Sequence, residues 1–92
     1  MVKLAKRYLV RGRVQGVGFR YFVRQCAMRI GITGYTRNRD DGCVEVYAIG
    51  NAEQLSELEG CLWKGPHLAE VRGVEGFEAS MVKYKEFLIE PE

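Results

Sequence analysis

Arg7-Tyr-Leu-Val-Arg-Gly-Arg-Val-Gln-Gly-Val-Gly-Phe-Arg-Tyr-Phe-Val-Arg-Gln-Cys-Ala-Met-Arg-Ile-Gly31 reads as a strand, a glycine loop and a helix in immediate succession. From Arg7 to Val14, Tyr8, Val10 and Val14 share one parity with Gly12 between them, the pattern of a half-buried strand. Gln15-Gly16-Val17-Gly18 interrupts it. Beyond the loop, Phe19, Phe22, Val23, Cys26, Ala27 and Ile30 recur at intervals of three and four, which predicts an amphipathic helix. Gly31 stands where a left-handed C-terminal cap belongs. The run Ile32 to Asn38 predicts a second strand. Asp40-Asp41-Gly42 is a hairpin signal, and Val44, Val46 and Ala48 alternate beyond it as a third strand.

Downstream, Asn51 can cap a second helix, with Gln54 three positions on to complete a capping box. Ala52, Leu55, Leu58 and Leu62 supply its apolar stripe, Gly60 weakens its last turn, and Gly65-Pro66 ends it. Val71 and Val74 mark a fourth strand, and their odd spacing predicts a bulge near Gly73. Phe87 and Ile89 alternate in a short final strand. The order β-α-β-β-α-β is the split βαβ, or ferredoxin-like, arrangement of an α+β sandwich. It places two helices on one face of an antiparallel four-stranded sheet, with the short final strand extending or overlapping an edge.

Composition narrows the function classes. The 92 residues suit one domain spanning 1–92, in which about 60% of the unfolded surface is buried. A net charge of +2 is too small for a nucleic-acid footprint, although it allows a locally basic pocket for an anion. Cys26, Cys43 and Cys61 form no CxxC pair and, with the lone His67, give no zinc spacing. An odd number of scattered thiols fits a reducing cytoplasm. The N-terminal residues lack the apolar core of a secretory signal, and no stretch reaches membrane-spanning length.

The first loop is the candidate site. Successive backbone N–H groups between a strand and a helix can form an anion-binding nest, backed by the positive end of the helix dipole. Gly16 and Gly18 allow backbone angles and close approach that side chains would block. Arg20, in the first helical turn, opposes the dipole, yet it can present a forked donor to two phosphate oxygens. Glycine pairs alone are a weak signal. No Gly-Lys-Ser/Thr follows, and Tyr21 replaces the third glycine of a dinucleotide fingerprint. Gly34-Tyr-Thr-Arg-Asn-Arg-Asp-Asp-Gly42 reads first as a strand entering a polar hairpin. In a right-handed βαβ unit, however, the first strand ends, the helix begins and the second strand ends at one edge of the sheet. Arg20 and Asn38 should therefore face each other there. An amide is no base, but its donor and acceptor can hold a water in place. Asp40 and Asp41 could bind magnesium, although adjacent acids at a hairpin tip are usually turn formers. His67 reads as a surface loop residue.

Gly12-Arg-Val-Gln-Gly-Val-Gly-Phe-Arg20 resembles the first motif of the acylphosphatase family, and Gly34-Tyr-Thr-Arg-Asn38 with Gly42-Cys-Val44 and Gly50 resembles the second. Thr36 departs from the small apolar residue of that pattern. The resemblance implies hydrolysis of the carboxyl–phosphate bond of small acyl phosphates, with no metal and no cofactor. It assigns phosphate binding to Arg20, water orientation to Asn38, and a cradle of backbone donors to Gln15, Gly16, Val17, Gly18, Phe19 and Arg20. Inorganic phosphate is then product and inhibitor, and the protein a cytoplasmic monomer that binds neither nucleic acid nor membrane. The Cys-x5-Arg pattern of thiol phosphatases is absent. Two rivals are an RNA-binding module on a similar sheet and a domain borrowed from a larger carbamoyl-transferring enzyme. Against the first, the aromatics of Val17-Gly-Phe-Arg-Tyr-Phe-Val23 fall in a loop and helix, and Tyr47 alone is no stacking platform. Against the second, the chain is short enough to stand alone.

Overall fold

The computed structural model describes residues 2–91. Its elements run β1 (Leu4–Arg13), α1 (Phe19–Ile30), β2 (Thr33–Asn38), β3 (Val44–Gly50), α2 (Ala52–Lys64), β4 (Glu70–Glu78) and β5 (Phe87–Glu90). Five strands form one sheet in the order β4-β1-β3-β2-β5. β3 is central and pairs antiparallel with β1, Tyr8 opposite Val46, and both helices pack on one face. This is the ferredoxin-like arrangement.

The alternation in the first strand holds: Tyr8, Val10 and Val14 are buried with Val44, Val46 and Ala48 beneath Phe19, Val23, Ala27, Leu55, Leu58 and Leu62. That strand begins earlier than the sequence pattern suggests, at Leu4. Gly31 caps α1 at φ 95° with its N–H on the carbonyl of Ala27. In the capping box of α2, the Gln54 N–H donates to Asn51 Oδ1 at 2.8 Å and the Asn51 N–H donates to Gln54 Oε1 at 2.9 Å. Gln54 Nε2 also reaches the carbonyl of Ile30 at 3.1 Å, so one side chain joins the start of α2 to the end of α1. The stripe of α2 is Leu55, Leu58 and Leu62, whereas Ala52 is exposed. The helix runs through Gly60 to Lys64. In β4 the register slips against β1: Arg11 faces Gly73 and Gly12 faces Val71. Arg72 is thus the extra residue of a bulge beside Gly73, and both Val71 and Val74 reach the core.

The four expected strands are antiparallel, and the short final strand extends the β2 edge. β5 pairs parallel with β2, Gly34 opposite Phe87, which makes the sheet mixed. The cause lies on the face away from the helices. After β4 at one edge, residues 79–86 cross to the other edge, so β5 enters alongside the start of β2. Tyr47 pins the crossing: its hydroxyl donates to the carbonyl of Ser80 at 2.6 Å and accepts from the Val82 N–H at 2.7 Å. Tyr35 stacks on Tyr47 with ring centroids 5.5 Å apart, and Tyr84 packs on both.

Gly34 shows how closely β2 and β3 approach. Its φ is 141°, and a Cβ there would overlap the carbonyl oxygen of Tyr47 on β3. Because that obstacle is backbone inside a paired strand, Gly34→Ala should lower unfolding free energy by at least about 2 kcal/mol. A urea titration checks this. A midpoint unchanged from the parent would mean that the two strands can separate at little cost.

Candidate active site

Gly16 and Gly18 adopt the left-handed conformation, at φ 73° and 78°. A Cβ at either would meet nothing within 4 Å. Crowding within the protein is therefore not why glycine stands there; the backbone angle is. These turns bring the chain from β1 into α1 with Gly18 as the N-cap and no side-chain cap. The first helical hydrogen bond runs from the Phe22 N–H to the Gly18 carbonyl at 3.1 Å. The N–H groups of Phe19, Arg20 and Tyr21 precede it and have no helical acceptor. No acidic residue occupies this first turn, so the local field stays positive.

Gln15 contributes a side chain the sequence reading had not used. Its Nε2 donates to the carbonyl of Arg39 at 2.8 Å and to that of Cys43 at 3.0 Å. These are the two ends of the β2–β3 hairpin, which the Arg39 N–H closes on the Cys43 carbonyl at 2.9 Å. One amide thereby fixes the glycine loop to the hairpin that follows Asn38. The Asp41 carboxylate accepts from the Cys43 N–H at 3.0 Å and pairs with Arg39 at 3.1 Å. That backbone donor, aided by Arg39, holds the Asp41 carboxyl below its usual range. Asp41 is the turn former its position suggested. His67 is exposed in the turn after α2.

Asn38 ends β2, opposite Val44. It is 9% exposed, and its Oδ1 is buried without a hydrogen-bond partner in the protein. An orphaned buried acceptor costs about 1–3 kcal/mol, so it calls for a functional account. Asn38 lines a cavity of about 200 Å³ together with Gly16, Gly18, Phe19, Arg20, Tyr21 and Ile89. The two side chains the topology was expected to bring together do share one cavity. Gln15 and Val17 stand outside its lining; Val17 packs against the core.

Arg20 is half-buried, and its Nη1 donates to the carbonyl of Glu90 at 3.2 Å. One turn later, Arg24 Nε donates to the carbonyl of Phe87, also at 3.2 Å. Both arginines tie α1 to the backbone of β5, and the Arg20 bond holds one edge of its guanidinium. A main-chain acceptor leaves no mark in sequence, which is why this support was not foreseen. Ile89 is the strand residue expected, in β5 opposite Thr36; it is 39% exposed and also lines the cavity.

Thr36 is fully buried, and its hydroxyl donates to the Glu45 carbonyl at 3.0 Å, so a polar residue fits where an apolar one was expected. On the opposite face Glu45 is 3% exposed and accepts from Tyr35 and Arg37. Burial alone would raise its carboxyl; those hydrogen bonds and the charge of Arg37 outweigh it and hold the group below its usual range. Tyr47, at 6% exposure, lies beneath residues 79–86 and is not an open ring for a base to stack upon.

Acylphosphatases recur among the known proteins of similar sequence and shape. The family model described as acylphosphatase matches residues 6–89. An acylphosphatase of Solibacter usitatus is 54% identical over 92% of this chain and 88% of its own. Among solved structures, an acylphosphatase from Bacillus subtilis superposes with a TM-score of 0.90 at 38% identity, covering 94% of this chain and 97% of that one. One from Coxiella burnetii superposes at 0.91 with 34% identity, covering 96% and 93%. Glycine loop, helix start and strand end thus meet at one cavity in a chain that belongs to the acylphosphatase family.

Proposed function

We propose that the acylphosphatase activity of this chain resides in the cavity between the Gly16–Arg20 loop and Asn38, and proceeds by direct attack of water on phosphorus. The supporting observation is that Asn38, whose buried Oδ1 has no partner in the protein, lines the same cavity as Arg20. Arg20 and the N–H groups at the start of α1 grip and neutralise the phosphoryl oxygens. Asn38 holds a water through its amide, in line with the bond to be broken. The water's oxygen bonds to phosphorus, the bond from phosphorus to the carboxyl oxygen breaks, and carboxylate and inorganic phosphate leave. A carboxylate is a stable anion, so no general acid is required. Positive potential comes from the protein, so no metal is required either. Inorganic phosphate, which fits the same cradle, inhibits. The chain works as a cytoplasmic monomer, residues 1–92 acting as one unit without nucleic acid or membrane.

The leaving group tests this. With no acid beside the departing oxygen, rate should follow its stability as an anion. Acetyl or benzoyl phosphate should be cleaved fast, an activated aryl phosphate slowly, and glycerol phosphate hardly at all. A chelator should leave acetyl phosphate turnover intact. Equal rates on glycerol phosphate and acetyl phosphate, or arrest by chelator, would contradict the mechanism.

A further inference from the structure

The helices carry a second reactive cluster. Cys26 on α1 and Cys61 on α2 are both free thiols, and Cys61 packs against the core cluster to which Cys26 belongs. Cys26 is 6% exposed, while Cys61 is half-buried. Arg29 lies one turn beyond Cys26, and its Nη2 donates to Cys61 Sγ at 3.4 Å. Its Nη1 is held at 3.0 Å by Glu57, one turn before Cys61. The spacings 26/29 and 57/61 put each pair on one helix face, so four residues from two helices converge. Burial, with the contact to Cys61, pushes the Cys26 thiol up to about 11 and keeps it protonated at neutral pH. Cys43 belongs elsewhere, in the β2–β3 hairpin.

We propose that Cys26 and Cys61 form an oxidisable dithiol, a modification site at which hydrogen peroxide generates a disulfide joining α1 to α2. Cys61, the less buried of the two, attacks one peroxide oxygen. The S–O bond forms, the O–O bond breaks, and the departing hydroxide leaves as water with the thiol's proton. The Arg29 guanidinium stabilises negative charge on the attacking sulfur. Cys26 sulfur then displaces the hydroxyl from the Cys61 sulfenic acid. The S–S bond forms, the S–O bond breaks, and the Cys26 proton leaves with hydroxide as a second water. Two thiols supply the two electrons that reduce one peroxide. The product closes a loop of about 35 residues and fastens together the helices that cover the core, which restricts the denatured chain more than the native one.

Peroxide treatment of the whole folded chain, followed by alkylation and digestion with trypsin plus a glutamate-specific protease, separates the three cysteines. The expected product has lost two hydrogens and links Gln25–Arg29 to Gly60–Lys64, with Cys43 alkylated and the chain still monomeric on a denaturing gel. Its Tm should rise by roughly 10 °C or more and fall back on reduction. Arg29→Gln should slow cross-linking about tenfold without changing the linkage. A link through Cys43 or to a second copy, or Cys26 and Cys61 both still alkylated after treatment, would overturn the proposal. An unchanged rate in Arg29→Gln would overturn the part given to Arg29.

Discussion

Arg20→Ala is expected to lower turnover of acetyl phosphate by roughly a thousandfold or more, the scale of losing an arginine that stabilises a transferring phosphoryl group. Competitive inhibition by inorganic phosphate should vanish with it, because ground-state phosphate uses the same guanidinium. Arg20→Lys should recover little. An ammonium is a point charge, and it cannot donate to the Glu90 carbonyl and present two further parallel donors in one plane. The bond from Nη1 to Glu90 raises a second explanation, that activity falls because β5 loosens. Arg24 makes the matching bond to Phe87 but is not part of the cavity lining. Arg24→Ala therefore reports the effect of weakening β5 alone, and should retain most activity. If Arg24→Ala were as inactive as Arg20→Ala, the anchoring of β5 would explain both. If Arg20→Ala kept full phosphate inhibition while remaining folded by circular dichroism, Arg20 would not be the phosphate ligand.

What the sequence made legible divides along local and non-local lines. The ends of both helices were readable because their signals are local: Gly31 at a left-handed C-cap, and Asn51 with Gln54 in a reciprocal box. The meeting of Arg20 and Asn38 was readable from topology, since a right-handed βαβ unit brings those chain points to one edge. The direction of β5 was not. It depends on residues 79–86 crossing the far face, and the crossing depends on the Tyr47 hydroxyl bonding the backbone of residues 80 and 82. Glu45 was hidden for the same reason. Alternation in β3 assigns it to the solvent side, but that side carries Tyr35, Tyr47, Tyr84 and Arg37, and the carboxylate is buried among partners. At the site, residue types announced the charged and amide side chains. The supports that aim them, Gln15 on two hairpin carbonyls and Glu90 on Arg20, use backbone acceptors common to all residues.

Asn38 allows chemistry to be separated from both binding and folding. Asn38→Ala should reduce kcat by roughly a hundredfold or more, the loss associated with one positioned catalytic group. Inhibition by phosphate should change little, because the amide is assigned to the attacking water rather than to the bound anion. Stability should move the other way from a usual buried substitution. In the parent protein Asn38 Oδ1 is buried without a partner, a cost that its removal relieves. Deleting the amide also forfeits some packing, and the two contributions oppose each other. The urea midpoint of Asn38→Ala should accordingly match or exceed that of the parent while activity collapses. Such a pairing would mark Asn38 as a residue held at the expense of stability for the sake of the reaction. A variant that loses phosphate affinity and kcat in equal measure would instead place Asn38 in the anion cradle. One that unfolds more readily would show that the amide holds β2 in place and that its apparent isolation is not functional.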